Sequence, residues 1–223
     1  MSKPKGGVTV LRLYTARHID TVLGRCGGYM EEVGHRYGLP AACLRAVIRR
    51  EMGETDILDP VADGFVRFYW FRWRLRKAIG LRDARPRLRF GPFGKRDSST
   101  GWGQIFAYVA INAANYAVDH ALADYASLGL PADHRMSPKD PEDLYFMWHE
   151  LHRNWRVNLT LSALNLLSAA EEENGHTDFS RYTPEEYQLA FTRYNANTRR
   201  ITEYGRIVYR LYLQELEAQQ QGG

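Results

Sequence analysis

Apolar residues recur at helical spacing through most of the chain. Ile19, Val22, Leu23, Cys26, Met30, Val33 and Tyr37 fall on one face, which predicts an amphipathic helix over residues 15–37. Gly27-Gly28 interrupts this stretch and marks a kink or a close approach. Gly38 stops the helix, and Pro40 suits the first turn of the next one. The second helix carries Leu44, Val47 and Ile48 on its apolar face and is expected to end at Glu51 or Met52, with Gly53 as its terminator. The next position on that apolar face is Glu51, a carboxylate where the pattern calls for a hydrophobe.

Residues 53–64 are polar, with Asp56, Asp59, Pro60, Asp63 and Gly64, and predict a loop. FVRFYWFRWRLRKAIG, residues 65–80, predicts a helix with apolar groups on more than half its circumference. Pro86, Gly91, Pro92 and Gly94 make residues 80–100 irregular. Ala and Tyr spacing predicts a helix over 108–127, PADHRMSPKDP a loop, and residues 141–173 one long helix or a pair. Thr183-Pro184-Glu185-Glu186 has the signature of a capped helix start: a Thr cap, Pro in the first turn and Glu three residues after the cap. That helix runs to Tyr194, and ITEYGRIVYRLYLQEL forms the last one. There is no internal repeat and no clear linker. The expectation is one mainly α domain over 15–218, with an N-terminal extension 1–14, an insertion over about 54–96 and a frayed tail 219–223.

Hydrophobic residues make up 44% and charged residues 25% of the chain, enough apolar material for a full core. No apolar run approaches the ~20 residues of a membrane-spanning helix, so no membrane insertion is expected. The N-terminus, MSKPKGGVTVLRLYTARH, has no continuous apolar core and no small-residue cleavage site. This predicts a chain made in the cytoplasm without a signal peptide and delivered elsewhere by another route. The net charge of +4 favours an anionic partner such as nucleic acid, a membrane surface or a bacterial cell wall. Cys26 and Cys43 lie among apolar neighbours and are expected to be buried thiols, although a disulfide is compatible with their number. No Cys/His group has zinc-like spacing, and His149 and His152 lack a third ligand nearby, so they read as surface or packing residues. Neither a metal nor a cofactor is expected.

Three stretches carry candidate chemistry. Glu51 at the end of an apolar stripe is partly desolvated, which disfavours its charged form. A carboxyl that keeps its proton near neutral pH can protonate a glycosidic oxygen; pairing with Arg49 or Arg50 is the alternative. In DSSTGWGQI, residues 97–105, Gly101 and Gly103 flank Trp102 and Gln104 follows. Glycines let a ligand approach the main chain closely, or simply make a turn into a helix. In AFTRYNAN, residues 190–197, Tyr194 and Asn195 stand at a helix C-terminus, where Asn can adopt a left-handed cap.

Taken together and in this order, LRAVIRREMG, GWGQI, YNAN and RITEYGRIVYRLY resemble the lysozyme-like superfamily, closest to goose-type lysozymes and soluble lytic transglycosylases. The resemblance spans roughly residues 38–213 through short motifs. It implies a lysozyme-like α-helical domain whose central helix carries the catalytic acid, Glu51. It implies a sugar cleft lined by Trp102, Gly103, Gln104 and Ile105, with Tyr194 near the carboxyl and the substrate N-acetyl group and Asn195 beside it. The chain departs from the family pattern in three places. Gln104 directly follows Gly103, Met52 stands where a serine usually follows the acid, and Asn197 replaces the usual glycine of the Tyr-Asn motif.

The resemblance implies cleavage of the β-1,4 bond between N-acetylmuramic acid and N-acetylglucosamine in peptidoglycan glycan strands. In a lysozyme a second carboxylate activates water or acts as nucleophile. Asp97, four residues before Gly101, is the first choice for that group, with Asp56, Asp59 and Asp63 as loop rivals; this leans the expectation toward hydrolysis. In a lytic transglycosylase the substrate acetamido group assists and an anhydro ring forms. A phage endolysin or an injected antibacterial effector fits the missing signal, and an effector would need an immunity protein as partner. The protein is expected to be a monomer. The Arg-aromatic stretch 65–90 reads first as packing, second as a cleft wall presenting Trp70 or Trp73 to sugars, and third as a single-strand nucleic-acid surface. No nucleic-acid-binding signature accompanies it, so no nucleic-acid partner is expected. An inactive wall-binding module is the remaining alternative.

Overall fold

The computed structural model describes residues 11–56, 58–81, 96–131 and 133–222. Eight α-helices follow one another: α1 Ala16–Tyr37, α2 Ala41–Glu54, α3 Asp59–Ala78, α4 Ala107–Asp119, α5 Pro141–Arg153, α6 Trp155–Asn174, α7 Pro184–Asn195 and α8 Glu203–Gly222. Among the described residues there is no strand, only isolated bridges pairing Arg12 with Asp56 and Thr100 with Ile105. The protein is mainly α, as the periodicity predicts.

Local chemistry sets most helix ends. Thr15 caps α1 by accepting from the His18 N–H, and Gly38 closes it in the left-handed region at φ 69°. Thr183 and Glu186 form the capping box predicted for α7. Four expectations need correction. Gly53 lies inside α2, which continues to Glu54 and stops where the Thr55 N–H and hydroxyl both turn back to the Glu51 carbonyl. The predicted loop 53–64 is mostly helix: α3 begins at Asp59, with Pro60 in the first turn. α4 stops at Asp119 rather than near 127, and Ala121 at φ 54° turns the chain away. The tail expected to fray instead extends α8 to Gly222, with Gln219 Nε2 donating to Glu31 at 3.3 Å. Part of the expected irregular stretch, residues 82–95, lies outside the described residues. The 141–173 stretch is a pair of helices, divided at Asn154, whose side chain caps α6 by accepting from Val157 N–H.

The core is built around α6. Val157, Leu159, Leu161, Leu164, Leu166 and Leu167 are buried on all sides of it, along with Asn158, Thr160 and Ser162. A helix buried all round is a central element rather than a surface one. α7, α4 and α5 pack around it, with α1 and α2 on the far side. α4 lays a face of Ala107, Ala110, Ala113, Ala114 and Ala117 into the core, small residues that let two backbones approach closely. α2 is nearly as deep as α6, with Leu44, Val47, Ile48 and Met52 fully buried.

α2 is also tied to α8 by charge. Glu215 on α8 accepts from Arg45 Nε at 3.1 Å and Arg49 Nε at 2.7 Å, and Arg49 reaches Asp20 on α1 at 2.6 Å. Arg45 fills the space over Gly27, where an added Cβ would come within 2.9 Å of its guanidinium. Of the Gly27-Gly28 pair, Gly27 thus marks a close approach, while a Cβ on Gly28 would meet nothing within 4 Å. Cys26 and Cys43 are both buried free thiols. Among the described residues no helix is long and apolar enough to cross a membrane, and no group of His, Cys, Asp and Glu could hold a metal ion.

A candidate active site at the end of α2

Glu51 sits in the last turn of α2, one step beyond Val47 and Ile48 on the buried face. The stripe therefore delivers a carboxyl from the core into a cavity of about 290 Å³. Burial pushes its pKa up to about 7, against smaller lowering effects from the Tyr204 hydroxyl and the Arg50 charge. Its place at a helix C-terminus offers the anion no help, since the backbone carbonyls there point toward it. Neither neighbouring arginine neutralises it. Arg49 is committed to Glu215 and Asp20, and Arg50 to Glu54. The hydroxyl of Tyr204, on the first turn of α8, donates to Glu51 Oε1 in a short hydrogen bond. Arg50 lies over the Tyr204 ring, 5.9 Å from its centroid, which holds the ring in place.

The glycine segment forms one wall. Thr100 and Ile105 pair, and Gly101 at φ 72° and Gln104 at φ 43° bend the four residues between them into a tight turn. The glycines are required by what lies behind the turn. A Cβ on Gly101 would come within 2.2 Å of Asn158 Nδ2, and one on Gly103 within 2.0 Å of Ser162 Oγ. Asn158, fully buried on α6, anchors the turn twice: its Oδ1 accepts from Gly103 N–H at 2.8 Å, and its Nδ2 donates to the Thr100 carbonyl at 3.0 Å. Gln104 is left-handed although it is not glycine, and its side chain donates to the Gly101 carbonyl at 3.0 Å. This holds Gln104 against the cavity. Backbone strain of this kind in a non-glycine residue persists only where the surroundings over-determine it, and it concentrates at functional sites.

Five of the eight sequence-predicted site residues line this one cavity: Glu51, Gln104, Ile105, Tyr194 and Asn195. Gly103 is buried behind it, and its carbonyl accepts from Tyr194 Oη at 2.8 Å. Tyr194 thus ties α7 to the glycine turn, and the hydroxyl that reaches the carboxyl belongs to Tyr204. Asn195 is the last residue of α7 and does not take the left-handed cap, which passes to extended Ala196. Trp102 faces a neighbouring cavity with Tyr14, Asp59 and Asp63, and leans on Trp155 at 5.8 Å.

Asp97 lies elsewhere. Its Oδ1 accepts from Ala107 N–H at 2.9 Å and its Oδ2 from Tyr108 N–H at 3.1 Å, so it caps the start of α4. Burial raises its pKa to about 6 despite these donors, and it does not line the Glu51 cavity. Trp70 is fully buried, with Nε1 donating to the Arg96 carbonyl at 2.9 Å, so it serves packing rather than a sugar wall. Trp73 lies edge-on to it at 5.2 Å.

Several lining residues were not legible in the sequence. Phe106 and Tyr108 stand exposed at the cavity edge with rings 5.7 Å apart, and Asn165 faces in from α6. The aromatics directly follow GWGQI and were the available signal. Asn165 and Asn158 had none, because only the packing of α6 shows which of its faces meets the turn. The fold and cavity thus define a helical protein presenting one dry carboxyl, amide side chains and an aromatic edge in an open cleft. No protein-family model matches the chain, and neither a curated protein nor a solved structure matches it.

Proposed function

We propose that the protein is a muramidase that cleaves the β-1,4 bond between N-acetylmuramic acid and N-acetylglucosamine, with Glu51 as general acid. The observation that carries this reading is the Glu51 carboxyl: poised near pH 7, free of any ion pair among the described residues, and open to a cavity. A general acid works best when its pKa lies near the working pH. Gln104, Asn165, Asn195 and Asn197 supply amides for sugar hydroxyls and an N-acetyl group, while Phe106 and Tyr108 offer flat apolar faces to the pyranose rings.

In this reading Glu51 gives its proton to the glycosidic oxygen as the C1–O bond breaks. Among the described residues no other carboxylate lines the cavity, which favours assistance by the substrate itself. The acetamido carbonyl oxygen closes on C1; the incoming oxygen then displaces it there, restoring the acetamide, as the Glu51 carboxylate takes the proton of the incoming O–H. If water attacks, the product is a reducing end. If the sugar 6-hydroxyl attacks, the product is an anhydro end. The capping role of Asp97 is the specific observation favouring the second route, lytic transglycosylation, over the hydrolysis expected from sequence.

Zymography on purified peptidoglycan with wild type and Glu51→Gln tests the reading. Clearing by wild type alone is expected, and equal clearing by both sinks the assignment of the acid. Mass spectrometry of the released muropeptides separates the routes, since exclusive reducing ends reject transglycosylation.

A further inference from the structure

Arg67, Arg74 and Arg153 surround a larger cavity of about 720 Å³ between α3 and α5. Its floor is aromatic: Trp70 and Trp148 are buried, and Tyr145 lies 5.5 Å from Trp70. Among the described residues, none that lines it is acidic. Among the described residues, these three guanidiniums contact neutral or basic groups and no carboxylate. Arg67 meets His152 Nε2, Arg74 donates to Tyr145 Oη at 3.3 Å, and Arg153 lies 3.4 Å from His149 Nε2. Several other arginines, among them Arg45, Arg49, Arg50, Arg135 and Arg193, are paired with acids. Guanidiniums lacking counter-ions around a concave apolar floor suit a ligand with carboxylates on a partly apolar body, because the planar fork matches a carboxylate with two hydrogen bonds.

The position of the cavity narrows the ligand. The Glu51 cavity adjoins a middle one of about 350 Å³ at Gln104, and the middle one adjoins the basic cavity at Arg67 and His152. These shared lining residues place the three in succession, from Glu51 through the section lined by the start of α3 to the arginines. Asp59 and Asp63 line the middle section. A nucleic acid, charged at every nucleotide, would run its phosphates past those two acids. A polymer with a neutral backbone and carboxylates on side branches meets cations only where the branches end.

We propose that the basic aromatic cavity binds the carboxylate-bearing peptide branch of the glycan strand whose glycosidic bond lies at Glu51. This rests on the reading of the Glu51 cavity as a peptidoglycan-cleaving site. It is tested apart from cleavage, by calorimetric titration of the free stem tetrapeptide L-alanyl-γ-D-glutamyl-diaminopimelyl-D-alanine into the full chain. Wild type and Glu51→Gln are expected to bind it alike. Arg74→Gln/Arg153→Gln should bind about tenfold or more weakly, the loss expected for charge-assisted hydrogen bonds. The tetrapeptide with its carboxylates amidated should bind wild type weakly to the same degree, a comparison that needs no variant to fold. The proposal is overturned if wild type gives no binding heat, if the double variant or the amidated peptide binds as tightly as the native pair, or if a single-stranded oligonucleotide binds and the peptide does not. Peptide binding without cleavage by wild type would instead reject the muramidase activity while retaining the peptide pocket.

Discussion

Glu51 is costly to the fold only in its charged form. Its folded pKa of about 7 exceeds the ordinary 4.5, so the native state holds this proton more tightly than the unfolded chain does. The carboxyl costs nothing below about pH 4.5, where both states are protonated. The cost grows as pH rises to about 7 and is constant above, reaching about 3 kcal/mol. Glutamine keeps an acceptor for Tyr204 and carries no charge. Glu51→Gln should therefore melt higher than wild type at pH 8, with the difference shrinking toward pH 4.5, while losing activity. Differential scanning calorimetry at the two pH values checks this, and a variant less stable at both would contradict it. Tyr204 acts in the opposite direction, since its hydroxyl favours the carboxylate. Removing it in Tyr204→Phe should raise the Glu51 pKa, by about one to two units if the bond is worth the usual 1.5–3 kcal/mol of a charged pair. The falling limb of the pH–rate profile should then move to higher pH, a shift that a purely structural tyrosine would not produce.

At the scale of elements, the site is a meeting of α2, α8 and the turn between α3 and α4, and each contact has an identifiable cause. The GWGQ turn depends on α6 as much as on its own glycines. Asn158→Ala would leave the Gly103 N–H and Thr100 carbonyl buried without partners, a loss of about 2–4 kcal/mol and of the fixed position of Gln104. Urea unfolding should show a lower midpoint and activity should fall with it; an unchanged midpoint would mean that the turn is held by other contacts. The periodicity of α1 and α7 was legible because each has one wet face and one dry face, and that of α2 because its polar residues cluster in the half-buried last turns. The true start of α3 was not, because Asp59, Pro60, Asp63 and Gly64 have the local chemistry of a loop. Asp59 and Pro60 in fact sit in a helical first turn, where an acid and a proline are both favoured.

Across the whole molecule, the acid is positioned by residues far from it in sequence. Glu215, almost at the end of the chain, binds two arginines of α2, and Tyr204 on the same helix binds Glu51. α2 and α8 thus behave as one unit whose register decides whether the tyrosine meets the acid. Glu215→Ala would leave partly buried Arg49 with Asp20 alone and Arg45 with only its 4.0 Å contact to Glu31, at a cost of about 3 kcal/mol. A chain of this size should then melt roughly 6–12 °C lower. An unchanged melting temperature would show that the packing of α8, not this charge cluster, sets the register.

Grouping the glycine turn and the Tyr-Asn motif with Glu51 came only from the family resemblance. The sequence by itself determined that the chain is helical and that Glu51 ends an apolar stripe. These are properties of periodicity and local backbone chemistry, carried within one or two turns of chain. Only the tertiary structure decided which groups meet Glu51. The resemblance implied Tyr194 as the partner, but α8 brings Tyr204 to the carboxyl while the Gly103 carbonyl takes Tyr194. Asp97 offers a second carboxylate on paper, yet the start of α4 claims both its oxygens. Whether the carboxyl of Glu51 holds a proton near neutral pH depends on how completely other helices exclude water from it, and that exclusion is a sum over contacts from the whole fold.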